Sequence, residues 1–193
     1  MGRKRRVWSP DHFYHISARG NRRDLLFQDE KDFQAFSHIL TSLYETTLFE
    51  TASYCFMTNH YHMQIRSPNT PISQLMAHIN KKYATYFNSR YNLTGHVFEN
   101  RYYGEPIKGI ISVLKVSRYI HLNPVEANIV TEPSLYRWSS YPTLTSPNPF
   151  RNEAPFFNSN LLLNFFQGTK LEKQSKYSRF VEKKNFESRP VLI

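Results

Sequence analysis

Strand-like and helix-like segments follow one another in an order that restricts the fold more than any other feature of this chain. Runs rich in aromatic and β-branched residues predict strands at residues 12–18, 49–57, 60–66 and 96–107. Apolar residues at helical spacing predict helices at residues 30–44 and 73–91. The order strand–helix–strand–strand–helix–strand predicts an α+β fold of the split βαβ, ferredoxin-like kind. We expect a sandwich with an antiparallel sheet and the helices on one face.

The second half of the chain predicts where this core ends. Four prolines fall between residues 142 and 155 and indicate the end of regular structure. We therefore divide the chain into a core of residues 1–145 and a C-terminal extension of residues 146–193. Within the extension, residues 160–167 are expected to form a short helix and residues 170–189 a charged, partly ordered tail.

Two histidines separated by one residue, His60 and His62, lie in the third predicted strand. Side chains alternate between the two faces of a strand, so both histidines project from one face while Tyr61 points away. Two imidazoles about 7 Å apart along one strand face can bind the same metal ion. The pattern is also typical of exposed or hydrogen-bonded strand histidines, so the residues alone leave both interpretations open.

A tyrosine and an asparagine share one face of a further predicted helix. This apolar helix is predicted to begin after Gly109 and to end at Pro124. Tyr119 and Asn123 are four residues apart and therefore point in the same direction, whereas His121 is turned away from both. A core tyrosine followed by an Asn-Pro helix stop would have the same sequence, so this pattern also has two interpretations.

The charge of the chain indicates an anionic partner. Its formal net charge is +10, and the leading candidate for a partner is nucleic acid. Arg3, Lys4, Arg5 and Arg6 make residues 1–10 a basic arm, which either lies on DNA or is a solvated terminus. The 13 tyrosines and 15 phenylalanines include side chains that can stack on unpaired bases, although most of them must build the core.

Cysteine usage and hydropathy indicate the compartment. Cys55 is the only cysteine, which excludes a disulfide within the chain and favours a reducing cytoplasm. No stretch approaches the ~20 apolar residues of a membrane helix, and the N-terminus lacks the apolar centre of a signal peptide. We therefore expect a soluble intracellular protein.

Several motifs together resemble a known family. The triplet His60-Tyr61-His62, preceded by Met57-Thr58-Asn59, and the run from Tyr119 to Val125 resemble the single-tyrosine HUH transposases. The REP-associated tyrosine transposases of bacterial genomes are the branch most similar to this chain. Three further stretches are similar to the same family: Tyr14-His15 with Arg19-Gly20-Asn21-Arg22, Gly95-His96-Val97-Phe98 with Arg101-Tyr102, and Trp138-Ser139-Ser140-Tyr141.

This resemblance implies a fold, a reaction and a site. It implies that residues 1–145 are a catalytic domain with a ferredoxin-like fold and a nucleophile on the last helix of the core. Tyr119 would be that nucleophile, and His60, His62 and Asn123 would bind a divalent metal ion, Mg²⁺ or Mn²⁺. The implied product is a 5′-phosphotyrosine with a free 3′-hydroxyl. Neutral imidazole and amide ligands favour Mn²⁺ over Mg²⁺.

Candidate DNA contacts lie in or beside the family-like motifs. They are Arg19, Asn21, Arg22, Arg23 and Arg101, with Lys81 and Lys82 as weaker candidates. A solvated helix face explains the two lysines equally well. We assign His121 and His15 to the structural core.

The leading functional hypothesis is a metal-dependent enzyme that nicks and rejoins single-stranded or hairpin DNA in transposition or repeat mobilisation. The alternative is a DNA-binding module derived from such an enzyme and retained for recognition without cleavage. A replication initiator or relaxase of the wider HUH class is a third hypothesis, which shares only the histidine pair. We expect a monomer or homodimer in the bacterial cytoplasm, associated with the nucleoid and not with a membrane.

Overall fold

A four-stranded antiparallel sheet forms the centre of the molecule. The structure is a computed structural model that describes residues 8–147 and 153–183. The strands are β1 (Phe13–Arg19), β2 (Glu50–Phe56), β3 (His60–Arg66) and β4 (Tyr103–Ile107). They are ordered β2-β3-β1-β4, and each neighbouring pair is antiparallel. This sheet confirms the predicted α+β class and the split βαβ order.

Six α-helices accompany the sheet in the described part of the chain. They are α1 (Glu30–Thr46), α2 (Ile72–Tyr91), α3 (Ile110–Glu126), α4 (Tyr141–Thr145), α5 (Asn160–Leu163) and α6 (Lys170–Glu182). Two short 3₁₀ turns, Asn21–Arg23 and Pro133–Leu135, complete the regular structure. None of the helices in residues 8–147 and 153–183 is long and apolar enough to cross a membrane.

The expectation that all helices lie on one face of the sheet is wrong for α3. Tyr61 of β3 contacts Phe36 of α1 and donates a hydrogen bond to Asn80 of α2, so these two helices cover one face. Its neighbour along the strand, His62, contacts Tyr119 of α3 on the opposite face. Because the interior residues of β3 are buried on both faces, the second face also needs a covering element, and α3 provides it.

Two predicted element boundaries also differ from the structure. The strand predicted at residues 96–107 begins only at Tyr103, because the preceding segment turns across the end of β1 and pairs there only through Phe98 and Gly20. The helix predicted to end at Pro124 continues to Glu126. Proline lacks only its own amide donor, and the amide of Ala127 still bonds the Asn123 carbonyl at 2.9 Å.

The described part of the C-terminal extension packs on the core. Phe156, Phe157, Leu162 and Tyr177 belong to the same buried apolar cluster as the sheet and α1. Residues predicted as a partly ordered tail form α6, which ends at Glu182. Residues 184–189 of that predicted tail, and Arg3 to Arg6 of the basic arm, lie outside the described residues.

Candidate active site

The sheet face beneath α3 carries a row of polar side chains. Ser17 and Arg19 of β1 are directly opposite His62 and His60 of β3. Opposed residues in neighbouring strands share a face, so Arg19 lies beside His60. The rings of His60 and His62 have centroids 5.0 Å apart, on the face away from Tyr61, as strand alternation predicts.

The helix α3 brings Tyr119 and Asn123 to the same place. The Tyr119 ring centroid lies 5.4 Å from that of His62. The Asn123 side chain donates from Nδ2 to the Tyr119 carbonyl at 2.9 Å and is within hydrogen-bonding reach of the His60 ring and the Tyr119 hydroxyl. The structure therefore brings the four residues Tyr119, His60, His62 and Asn123 together, and their chemical roles stay predictions.

Burial sets the protonation of this cluster. It lowers the pKa of His60 to about 4, with the positive charge of Arg19 adding to the effect. Burial also holds the pKa of His62 well below its usual range, with His15, His60 and Arg19 contributing. Both imidazoles are therefore neutral near pH 7 and keep a lone pair for a ligand bond. Burial raises the pKa of the Tyr119 hydroxyl, and its hydrogen bond to Asn123 opposes the rise.

A neighbouring side chain holds Nδ1 of each of the two histidines. Nδ1 of His60 lies 2.7 Å from Oδ1 of Asn59, an oxygen that can only accept, so Nδ1 carries the proton. Nδ1 of His62 lies 3.1 Å from Nε2 of His15. These contacts leave Nε2 of each ring for a metal ion, an orientation typical of metal-binding histidines.

The donor set fits a divalent metal ion only if an amide takes part. No group of three His, Cys, Asp or Glu side chains in the described ranges could hold a metal ion. Two neutral imidazole nitrogens and the amide oxygen of Asn123 are acceptable ligands for Mn²⁺, and substrate phosphate can supply further oxygens. The residues present therefore fit the metal ion that the motifs imply.

Two residues that support this site were not predicted from the sequence. His15 was assigned to the core and is indeed buried, but its ring stacks on that of His62 at 5.2 Å and lies 5.7 Å from that of Tyr119. Asn59 has no predicted role beyond its place in the run that precedes the histidine triplet. Strand alternation places His15 on one face of β1, but only the register between β1 and β3 shows that it meets His62.

Three predicted DNA contacts form a turn next to the site. Asn21, Arg22 and Arg23 follow β1 as a 3₁₀ turn, in which Arg22 and Arg23 are exposed. Both arginines have positive φ, 52° and 67°, a conformation that side chains other than glycine seldom adopt. The Asn59 side chain donates to the Arg23 carbonyl at 3.5 Å. Because Asn59 also contacts His60, it connects this turn to the histidine pair.

Two of the remaining predicted DNA contacts, Lys81 and Arg101, line a groove between α2 and residues 95–102. The groove has a volume of about 830 Å³, and its lining includes Lys81 and Arg101 but not Lys82. The amide of Glu99, which also lines the groove, bonds the Arg19 carbonyl at 3.0 Å. The groove wall is thus joined to the strand that carries Arg19, although α2 covers the sheet face opposite His60.

A helix-borne tyrosine held over a histidine pair on an antiparallel sheet is the arrangement expected of a tyrosine-dependent DNA transposase. Residues 9–123 match the sequence model of a family described as "Transposase IS200 like". This segment covers more than half of the chain and includes all four clustered residues. The chain belongs to the IS200-like transposase family.

Comparison with solved structures gives the same fold. The chain is similar to a REP-associated tyrosine transposase solved bound to a REP hairpin, with 17% identity and a TM-score of 0.65. That match covers 82% of this chain and 96% of the other. A putative transposase from Deinococcus radiodurans R1 matches with 15% identity, 62% and 95% coverage and a TM-score of 0.44. Among curated proteins, no significant match is found.

Proposed function

We propose that this chain is a metal-dependent strand transferase that nicks and rejoins single-stranded or hairpin DNA through a covalent bond to Tyr119. The observation that carries the proposal is the convergence of Tyr119, His60, His62 and Asn123 on one sheet face in a member of the IS200-like transposase family. The structural relative bound to a REP hairpin supports hairpin DNA as the substrate.

The reaction follows from the chemistry of a phenol and a phosphodiester. The Tyr119 oxygen attacks phosphorus and loses its proton, and the bond from phosphorus to the 3′ oxygen breaks. The departing 3′ oxygen takes up a proton, which leaves a 5′-phosphotyrosine and a free 3′-hydroxyl. Attack of a 3′-hydroxyl on the phosphotyrosine reverses these steps and rejoins DNA without an external energy source.

The protein residues prepare this exchange. A divalent ion bound by His60 Nε2, His62 Nε2 and the Asn123 amide oxygen would polarise the phosphate and stabilise the departing oxygen. Arg19 is the cation closest in the sheet register to His60, and its charge also acts on His62 and Tyr119. A phosphate placed among these groups would meet this charge, so we assign Arg19 to phosphate binding.

Other tyrosines near the site are poorer nucleophiles. Tyr61 lies on the opposite face of the sheet, where its hydroxyl bonds Asn80. Tyr103 lies on the correct face, with its ring 5.9 Å from that of His15, but its hydroxyl bonds Glu105. A carboxylate beside a phenol repels the phenolate and the incoming phosphate alike. Tyr119 is beside the histidine pair and an amide instead.

The test is direct capture of the covalent product. Hairpin DNA labelled at either the 5′ or the 3′ end is incubated with the protein and Mn²⁺, and the protein–DNA adduct is mapped by peptide mass. We expect the adduct at Tyr119. The protein should carry the 3′-end label, because the fragment joined to tyrosine through its 5′ phosphate retains the 3′ end of the substrate. An adduct at any other residue, or cleavage without an adduct, would refute the proposed mechanism.

The alternative function is DNA binding without cleavage. The observation that favours it is that the groove lined by Lys81 and Arg101 lies against α2, which covers the sheet face opposite His60, so DNA binding there does not require the histidines. The intact set of Tyr119, His60, His62 and Asn123 argues for the enzyme. Tight hairpin binding with no adduct under any divalent metal would favour the alternative.

A further inference from the structure

A chain of buried hydrogen bonds ties α6 to the side of α3 that faces away from Tyr119. Ser117 and His121 lie one turn apart on α3, and neither has any exposed surface. The hydroxyl of Tyr177, from α6, donates to Ser117 Oγ at 3.0 Å and lies 2.8 Å from His121 Nδ1. One hydroxyl therefore contacts two successive turns of the helix that carries the nucleophile.

Every link of this chain has a partner. Ser117 Oγ donates to the Leu114 carbonyl at 2.8 Å, and His121 Nε2 lies 2.8 Å from Ser140 Oγ. Ser140 Oγ in turn accepts from the amide of Tyr54 in β2 at 2.9 Å. A fully satisfied buried network of this kind is rigid and directional, so it connects α6, α3 and the sheet in one fixed geometry.

The first two residues of α3 contribute little to its orientation, and the helix is first anchored to the sheet where Gln64 Nε2 of β3 donates to the Val113 carbonyl at 3.0 Å. No side chain caps its N-terminus at Gly109, and Ile110 and Ile111 are 59% and 70% exposed. A tyrosine hydroxyl lies roughly 8 Å from a helix axis, so a rotation of about 10° moves it by about 1.4 Å. A misplacement of about 1 Å at a reacting atom can slow a reaction by roughly a hundredfold.

We propose that Tyr177 is a positioning residue, which fixes the rotation of α3 and thereby holds the Tyr119 hydroxyl over the histidine pair. The proposal rests on the proposed function, because it assigns Tyr119 the nucleophilic oxygen. It makes α6, which lies outside the residues that match the family model, part of the catalytic unit. In this role the C-terminal extension contributes to the rate of cleavage and not to DNA binding.

The test compares two buried tyrosines that differ in their partners. Tyr177→Phe removes the bonds to α3 and keeps the ring. Tyr136→Phe is the matched control, because the Tyr136 hydroxyl is also buried but donates to a backbone carbonyl of β2, that of Phe56, at 2.7 Å. Cleavage at saturating hairpin, hairpin affinity and amide hydrogen exchange across α3 without DNA are measured for both variants and the wild type.

We expect Tyr177→Phe to cleave about ten to a hundredfold more slowly than the wild type, with hairpin affinity unchanged within about twofold. Amide exchange in α3 should be faster than in the wild type. Tyr136→Phe should match the wild type in cleavage rate, hairpin affinity and amide exchange of α3, even if it lowers the unfolding temperature. Ser117→Ala removes one of the two bonds of the Tyr177 hydroxyl and should give a smaller effect in the same direction. This variant replaces Tyr177→Phe in the test if Tyr177→Phe does not fold.

Two results would overturn the inference. One is cleavage by Tyr177→Phe at the wild-type rate, and the other is an equal effect of Tyr136→Phe. If the wild type itself forms no adduct, the proposed function fails, and the exchange measurement still decides whether Tyr177 holds α3. Equal exchange of α3 in the two variants would then show that it does not.

Discussion

Replacing Tyr119 by phenylalanine removes one oxygen and keeps the ring that contacts His62 and His15. The lost hydrogen bond is the one to Asn123, so we expect stability to change by only about 1 kcal/mol. Hairpin binding should stay at the wild-type level, while cleavage and the covalent adduct disappear. Labelled hairpin in a binding gel and a cleavage gel measures the two effects separately. Residual cleavage by this variant would move the nucleophile to another residue, with Tyr103 the nearest on that face.

Loss of one histidine should have the same consequence as loss of the metal ion. We expect His60→Ala to abolish cleavage while retaining the fold and most DNA affinity. His62→Ala should also abolish it, but that change removes the buried partner of His15 and costs about 1–3 kcal/mol of stability. EDTA should stop the wild-type enzyme, and Mn²⁺ should restore it at least as well as Mg²⁺. Full activity in EDTA would exclude a metal ion from the mechanism.

Local periodicity predicted each pair of site residues separately, and the resemblance to the family implied that the two pairs meet. The shared face of His60 and His62, and that of Tyr119 and Asn123, follow from the repeats of a strand and a helix. The supporting contact of His15 depends on how β1 pairs with β3, and no repeat within β1 contains that register. Residues that act through a neighbour from another strand are therefore the ones that sequence reasoning misses.

At the scale of elements, the turn Asn21–Arg23 is predicted to contact phosphates. Changing Arg22 and Arg23 together to alanine keeps a Cβ at both positive-φ positions, so the backbone strain stays the same. For single-stranded DNA, we expect the negative slope of log affinity against log salt concentration to become shallower by about 1.4, the change that corresponds to the loss of two phosphate contacts.

The control for this prediction is the double change of Lys170 and Lys176 to alanine. Both lysines are exposed on α6, so the net charge falls equally without touching the turn. The control should lower affinity slightly and leave the slope close to that of the wild type. A slope that falls equally in both variants would show a general effect of net charge and no contact at the turn.

The groove between α2 and residues 95–102 allows a test with adjacent lysines. Lys81 lines the groove and Lys82 does not, although both are exposed on α2. We expect Lys81→Ala and Arg101→Ala each to lower hairpin affinity about fivefold, because a phosphate contact there is lost. Lys82→Ala should lower it less than twofold. Equal effects of the two lysine changes, measured by titration at fixed salt, would exclude the groove from the DNA path.

Element order was more predictable than element placement. The split βαβ order follows from the alternation of the two periodicities, and the sheet has it. The face covered by α3 and the early turn before β4 depend on what remains to be buried once the sheet has formed. Such packing depends on several elements together, so the sequence pattern of any one element does not predict its placement.

At the scale of the whole molecule, the extension and the core act as one packed unit where the structure describes them. Phe157 pairs with Thr51 at the edge of β2, and Tyr177 lies under α3. We propose that the functional division remains at residue 145, with DNA chemistry in residues 1–145 and support of α3 in the extension. The net charge of +10 favours rapid, salt-sensitive association of this whole unit with DNA.

The last prediction concerns whether one copy of the chain is sufficient for cleavage. Within one chain the Tyr119 ring contacts His62, and His62 contacts His60, so each copy holds a complete set of residues. We therefore expect an equimolar mixture of Tyr119→Phe and His60→Ala to remain inactive, because neither variant contains an intact set.

The controls are mixtures of each variant with wild type, in which activity should follow the amount of wild-type protein alone. The mixtures are assayed with labelled hairpin over a range of protein concentrations, because exchange between copies depends on concentration. Cleavage by the mixture of the two inactive variants would show that the tyrosine of one copy serves the histidines of another. In that case the active form would be a dimer with shared sites, and the arrangement within a single chain would be a resting state.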